Sequence, residues 1–433
     1  MNNFASIIGY EREKNELILL SDVLKNEDKY KALDVKIPKA ILIYGEPGLG
    51  KTLMAESMIK EVGRTFFSCK KDRADGEFVS AIKKTFEDAI KAQPSIVLLD
   101  DMDKFAQDNL EVDSNKEEFV VIQSCLEDIK DKSVFVIATT NDIDHIPESL
   151  LRAGRFGRQL QVRAPKHDDA VKIIRHFLSS KKISNDVNPE MLAYILGGRS
   201  CAVLENVINE AGMYAAFENK KEISKDHIIK AILRVITKDI ENDTYKDEES
   251  KKLVAYHEAG HAVIAIKTGK TVGYLTIKPQ GDAGGVCSVS DMNESIWTYE
   301  DLRKKILIWL GGKACVDIFL NKTELGAASD IEKCTSLLRQ NIEEVGIEGF
   351  NYTYDMEKWG FKQSPERLNQ IAIKISEKMY QFYEESKKIL KENEGMVKAM
   401  VKILIKKEII LYDEILEFVK DFEMNNCCRR GGK

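Results

Sequence analysis

Only six histidines occur in the 433 residues, and two of them, His257 and His261, stand four positions apart. On a helix, positions i and i+4 share a face, so both imidazoles can reach one metal ion. Glu258 lies between them in His257-Glu258-Ala259-Gly260-His261. This is the HExxH pattern, in which two imidazoles hold zinc while the glutamate takes a proton from the water the metal activates. Leu253, Val254 and Ala255 before the motif and Val263, Ile264 and Ile266 after it give the helix the apolar surroundings that a buried metal site needs. Catalytic zinc usually keeps three protein ligands and one water. No histidine follows His261, so the third donor is expected to be a carboxylate. Asp330, placed after the Gly326-Ala327-Ala328-Ser329 turn at an expected helix start, is the first candidate, and Asp317 is the second.

A second chemistry lies two hundred residues upstream. Gly45-Glu46-Pro47-Gly48-Leu49-Gly50-Lys51-Thr52 is a complete P-loop between an apolar strand and a helix. Its glycines let backbone N–H groups turn toward the phosphates of ATP, Lys51 reaches the outer phosphates, and Thr52 offers a hydroxyl to Mg2+. Asp100, at the end of a second apolar strand, is placed to hold that magnesium, and Asp101 to orient the attacking water. Asn141, at the end of a third strand, can face the γ-phosphate. Arg152, Arg155 and Arg158 have two readings, as guanidiniums that neutralise a phosphoryl transition state or as ordinary surface charge.

These groups need elements to hold them. Ala40–Tyr44, Ser95–Leu99 and Val134–Ala138 are near-continuous apolar strands separated by helical stretches such as Phe78–Ala92. That alternation predicts a mainly parallel sheet covered on both faces. The expected order is an α/β nucleotide-binding domain over 1–165, a helical lid over 166–238, a charged linker over 239–250, a mainly helical peptidase domain over 251–422 and a disordered tail over 423–433. Within the peptidase domain short strands are expected at Tyr274–Ile277 and Val286–Val289, and 365–422 reads as almost entirely helical.

Composition agrees with a multidomain globular chain, at 43% hydrophobic and 31% charged residues. A formal charge of −6 argues against nucleic acid as the main partner. Eight cysteines without a CxxC pair suit a reducing compartment. No apolar run reaches the roughly 18–20 residues of a membrane helix, so the expectation is a cytoplasmic protein without direct membrane insertion.

Taken together, and in this order, the chain resembles the FtsH-type AAA+ zinc metalloproteases. The resemblance rests on Ile37-Pro38-Lys39, the P-loop, the acidic pair, Ala138–Asn141, Leu151–Arg158, Gly197–Glu210, Ala255–His261, Gly311-Gly312-Lys313-Ala314 and Gly326–Ile331. It implies a hexameric ring of identical subunits that uses ATP to draw polypeptides into a protease chamber. It also implies that Asp330 is the third zinc ligand, Glu258 the general base, Asn141 the sensor, and Arg155 and Arg158 fingers reaching a neighbouring subunit. The segment Gly285–Ser290 would hold substrate by edge pairing.

Four departures temper this. The family's amino-terminal membrane helices are not found in these residues, so soluble substrates, an adaptor or a membrane-tethering partner are expected. The glutamate of the acidic pair is Asp101, whose shorter arm should place water less well. The family's Asp-Gly-Phe signal falls on Glu127-Asp128-Ile129. The pore-loop aromatic falls on Ala74-Asp75-Gly76. The expected activity is ATP-dependent or ATP-gated zinc endopeptidase action on loosely folded proteins, with weak ATPase turnover. The alternatives are a nucleotide-gated ring scaffold or a remodelling ATPase that does not cut.

Overall fold

A computed structural model describes residues 3–71, 78–106, 117–237, 247–278, 284–289, 298–349 and 364–430. The expected pore-loop residues Ala74, Asp75 and Gly76, and most of the charged linker, lie outside these. The chain divides into two compact units, one of 1–182 with 199–209 and one of 183–198 with 210–433.

The first unit begins with α1 (Glu11–Lys25) and α2 (Glu27–Lys31). It continues through β1 (Ala40–Tyr44), α3 (Lys51–Val62), β2 (Thr65–Lys70), α4 (Phe78–Lys91), β3 (Ser95–Asp100), α5 (Glu117–Asp128), β4 (Val134–Thr140), β5 (Gln159–Gln161) and α6 (His167–Ser179). The five strands form one parallel sheet in the order β2-β3-β4-β1-β5. β3 and β4 are buried along their whole length, as the unbroken apolar runs require of strands covered on both faces. β2 escapes sequence reading because it is an edge strand whose side chains are mostly exposed. Register brings the carboxyl ends of the central strands to one level, with Tyr44 beside Thr140 and Leu99 beside Ala138. The crevice beyond those ends is where open parallel sheets bind ligands.

The second unit holds α7 (Pro189–Ile195), with the boundary between units falling inside α8 (Cys201–Phe217). It then contains α9 (Lys225–Thr237), α10 (Glu248–Lys267), β6 (Val272–Thr276), β7 (Val286–Val289), α11 (Tyr299–Leu320), α12 (Ala328–Gln340), α13 (Pro365–Glu392), α14 (Glu394–Lys407), β8 (Ile409–Leu411) and α15 (Tyr412–Arg430). Asp247 caps α10 by accepting from Ser250 N at 2.6 Å. Thr298 and Asp301 close a reciprocal capping box on α11. The core gathers Ala262, Val263 and Ile264 of α10, Ile306, Leu307 and Leu310 of α11, and Phe382, Leu390, Val397 and Leu404 of α13 and α14. β6 is flanked by β7 and β8 in an antiparallel three-stranded sheet.

One expectation is refined and one is corrected. The 365–422 region is almost entirely helical, as expected, but α14 ends at Glu408 in a left-handed conformation and Ile409–Leu411 then pairs with β6. The chain does not fray at 423, since α15 runs to Arg430. Phe418, Val419 and Phe422 pack on the core and anchor the helix. Among the described residues, no helix is long and apolar enough to cross a membrane.

Candidate active site

The residues expected to bind nucleotide converge at the carboxyl edge of the parallel sheet. Gly45 closes β1 at φ +144°, where an added Cβ would stand 2.0 Å from the Val162 carbonyl oxygen, so this position needs glycine. Glu46, Pro47 and Gly48 form the exposed crest of the loop, while Leu49 anchors it in the core. Gly50 caps α3 in a left-handed conformation. Lys51 is 6% exposed, and its Nζ donates to the carbonyls of Gly45 (2.7 Å) and Glu46 (2.8 Å) and to Asn141 Oδ1 (2.8 Å). Burial lowers its pKa against the pull of Asp101, Asp103 and Asp100.

Thr52 Oγ1 donates to Asp100 Oδ1 at 3.1 Å, and Thr139 Oγ1 donates to the same oxygen at 2.7 Å. The hydroxyl and carboxylate expected at the magnesium are therefore direct neighbours. Asp101 sits at φ +57°, with its backbone N–H on Thr139 Oγ1 at 2.9 Å. Its carboxylate pairs with Lys104 (2.8 Å) and Lys70 (3.5 Å). Burial raises the Asp101 pKa, but these lysines outweigh it and hold it below the usual carboxylate range.

Asp103, which sequence reading overlooked, is buried and fixes the Asn141 side chain. It accepts from Asn141 N at 3.0 Å and from Asn141 Nδ2 at 3.1 Å. Its position one turn after Asp100 was the available signal. Arg155 and Arg158 bond to other side chains and backbone of this chain. Arg155 pairs with Glu127 at 3.1 Å and donates to Ser149 O, and Arg158 pairs with Glu16 at 2.7 Å.

In the second unit α10 carries His257, Glu258 and His261 on buried positions or close to them. The two Nε2 atoms lie 2.9 Å apart. Asp330, in the first turn of α12, places Oδ2 at 3.5 Å from His257 Nε2 and 3.4 Å from His261 Nε2. Donors around tetrahedral zinc at about 2.0–2.2 Å stand roughly 3.3–3.5 Å apart. The carboxylate distances match that spacing, and the two imidazoles need separate by only a few tenths of an ångström. Among the described residues these three form a group that could hold a metal ion, whereas Asp317 bonds to Tyr383 and to Lys313 (3.4 Å).

The back sides of both rings fit the same conclusion. His261 Nδ1 meets the Ile308 carbonyl at 2.6 Å, and His257 Nδ1 meets a Glu324 carboxylate oxygen. Both partners only accept, so each Nδ1 carries its proton and each Nε2 presents a lone pair to the triangle. Burial opposes positive charge at His257, while the carboxylates of Asp330 and Glu324 favour it.

Glu258 is 5% exposed, and burial pushes its pKa up against the two histidines. Gly285, just before β7, lies over it, since an added Cβ would stand 2.8 Å from Glu258 Cγ. Gly312 of α11 lies under both rings, where a Cβ would be 2.6 Å from His257 Nε2 and from His261 Nε2. In sequence Gly311-Gly312 carries no sign of this role, and nothing local marks Glu324.

An ATP-binding P-loop unit and a mainly helical unit with a His/His/Asp zinc site together define an AAA+ metallopeptidase. Residues 41–164 match the model of the ATPase family associated with various cellular activities, and residues 244–418 match that of peptidase family M41. The ATP-dependent zinc metalloprotease FtsH of Helicobacter pylori (strain ATCC 700392 / 26695) is 30% identical over 98% of this chain and 71% of its own length. That of Malacoplasma penetrans is 33% identical over 97% of this chain and 54% of its own. FtsH 2 of Thermoanaerobacter sp. (strain X514) is 31% identical over 95% and 82%. The chain belongs to the FtsH family of ATP-dependent zinc metalloproteases.

Proposed function

We propose that this chain is one subunit of a ring-forming zinc endopeptidase that couples ATP turnover to the degradation of polypeptides. The observation that carries this reading is the triangle of His257, His261 and Asp330 with Glu258 on the same helix, in a chain that also has a complete P-loop.

Held by those three side chains, zinc would supply the Lewis acidity that activates water and polarises the scissile carbonyl. Glu258 takes the proton of the attacking water and returns it to the leaving nitrogen. Its burial suits that exchange, because a raised pKa brings the carboxyl closer to working pH. β7 is an edge strand of its sheet, and an extended substrate added to it would pass over Gly285 beside Glu258. Backbone pairing of this kind admits many side chains.

On the ATPase side, Thr52 and Asp100 would share a magnesium ion, Asn141 held by Asp103 would face the γ-phosphate, and Asp101 would orient water. The helical segment 166–238 would form the lid domain of the ATPase. Arg155 and Arg158 would serve a neighbouring subunit after leaving Glu127 and Glu16. Loosely folded chains are the proposed substrates.

The test is degradation of one substrate protein, in folded and destabilised forms, with ATP, ADP, no nucleotide or a zinc chelator. ATP-dependent, chelator-sensitive degradation that favours the destabilised form is expected. Degradation that ignores the chelator would refute the assignment.

A further inference from the structure

The two zinc-binding histidines are backed by unequal partners. His261 donates to a neutral main-chain carbonyl, that of Ile308, at 2.6 Å. His257 donates to the carboxylate of Glu324, whose side chain is 3% exposed. Glu324 belongs to the short connection between α11 and α12, six residues before Asp330. One stretch of backbone thus supplies the carboxylate in front of His257, 3.5 Å from its Nε2, and the carboxylate behind it. A buried carboxylate needs a compensating charge, and a cation in the triangle would supply one through the imidazole.

We propose that Glu324 is a positioning residue for zinc. By accepting from Nδ1 it fixes the tautomer and ring plane of His257, and by its charge it makes Nε2 a stronger donor. Partners of this kind change metal affinity by about 10- to 100-fold. The inference rests on the zinc reading of the triangle.

The test uses the full chain, loaded with zinc and titrated against a chromophoric chelator, beside the absorption spectrum of the cobalt(II)-substituted protein and the melting curve of the metal-free protein. Wild type is expected to hold one zinc per chain. Glu324→Ala should bind zinc about 10- to 100-fold more weakly. Glu324→Gln keeps an acceptor at the same reach and should recover part of that loss, while Glu324→Asp, one methylene short, should not. The cobalt spectrum of Glu324→Gln should shift while its metal-free melting temperature stays at the wild-type value, a pattern that a purely structural role does not produce. If Glu324→Ala does not fold, the Gln variant's spectrum and affinity decide. Zinc affinity within threefold of wild type in the folded variants, with an unchanged cobalt spectrum, overturns the proposal. A wild type that takes up no zinc overturns the zinc reading and this inference with it, and is told apart because the wild type itself fails.

Discussion

Glu258 and Asp101 are the two side chains assigned to handle water, and their surroundings differ. Glu258 is buried beneath Gly285 and faces two imidazoles. Glu258→Gln keeps the shape and removes the base, so peptide cleavage should fall by about 10²- to 10⁴-fold while zinc content by metal analysis stays at the wild-type level. Full-rate cleavage by that variant would take Glu258 out of the reaction. Asp101 instead occupies a left-handed backbone position and is tied to Lys104 and Lys70. Aspartate tolerates that conformation better than glutamate. Asp101→Glu therefore meets two opposing effects, a longer reach toward water and a backbone cost of about 1–2 kcal/mol, and should change steady-state ATP hydrolysis by less than about tenfold. Asp101→Asn keeps size and conformational tolerance but removes the negative charge, and should lower hydrolysis by about tenfold or more at unchanged ATP affinity. Equal rates for wild type and Asp101→Asn would exclude Asp101 as the water-orienting group.

At the scale of elements, the zinc site depends on how closely α10 approaches α11. A Cβ on Gly260 would stand 2.3 Å from the Gly311 carbonyl oxygen, and a Cβ on Gly312 would run into both imidazoles. Gly312→Ala should weaken zinc binding by about tenfold or more and cost about 1–3 kcal/mol of stability, read by chelator competition and thermal unfolding. Wild-type values for both would show that the helices can part freely. This contact also explains what the sequence could disclose. The spacing of His257 and His261 lies within one helical turn, so local periodicity carries its whole geometry, and the apolar strands that end at Gly45, Asp100 and Asn141 announce themselves in the same way. Asp330 is 69 residues beyond His261, and elimination could only rank it against Asp317. Glu324 is one of 71 acidic residues with no local pattern to mark it. Gly312 reads from sequence as a weak point in a helix, because its purpose depends on which helix crosses there. β2 and β8 were missed for a related reason, since an exposed edge strand and a three-residue strand have no periodicity long enough to detect.

At the scale of the whole molecule, the two chemistries belong to different compact units. The P-loop, Asp100, Asp101 and Asn141 lie in the first, and His257, Glu258, His261 and Asp330 in the second. Each unit has its own core, the first around Leu42, Val97 and Val136 and the second around Val263, Leu307 and Phe382. Neither set of side chains needs the other to assemble, so the chemical steps should be separable even though the degradation of a protein requires both. A zinc chelator should abolish cleavage of every substrate while ATP hydrolysis continues at half its original rate or better. Lys51→Ala should do the reverse. It removes the ammonium that bonds the Gly45 and Glu46 carbonyls and Asn141, so ATP hydrolysis and the degradation of a folded protein should be lost. A short unstructured peptide needs no pulling, and its cleavage by Lys51→Ala should remain within a few-fold of wild type. The measurement is a pair of rates, ATP turnover and cleavage of a quenched fluorescent peptide, for wild type and Lys51→Ala with and without chelator. If Lys51→Ala lost peptide cleavage along with ATP hydrolysis, nucleotide would have to control the zinc site itself rather than the delivery of substrate to it. If the chelator stopped ATP hydrolysis as well, the second unit would be governing the first, and the division of labour argued from the two cores would be wrong.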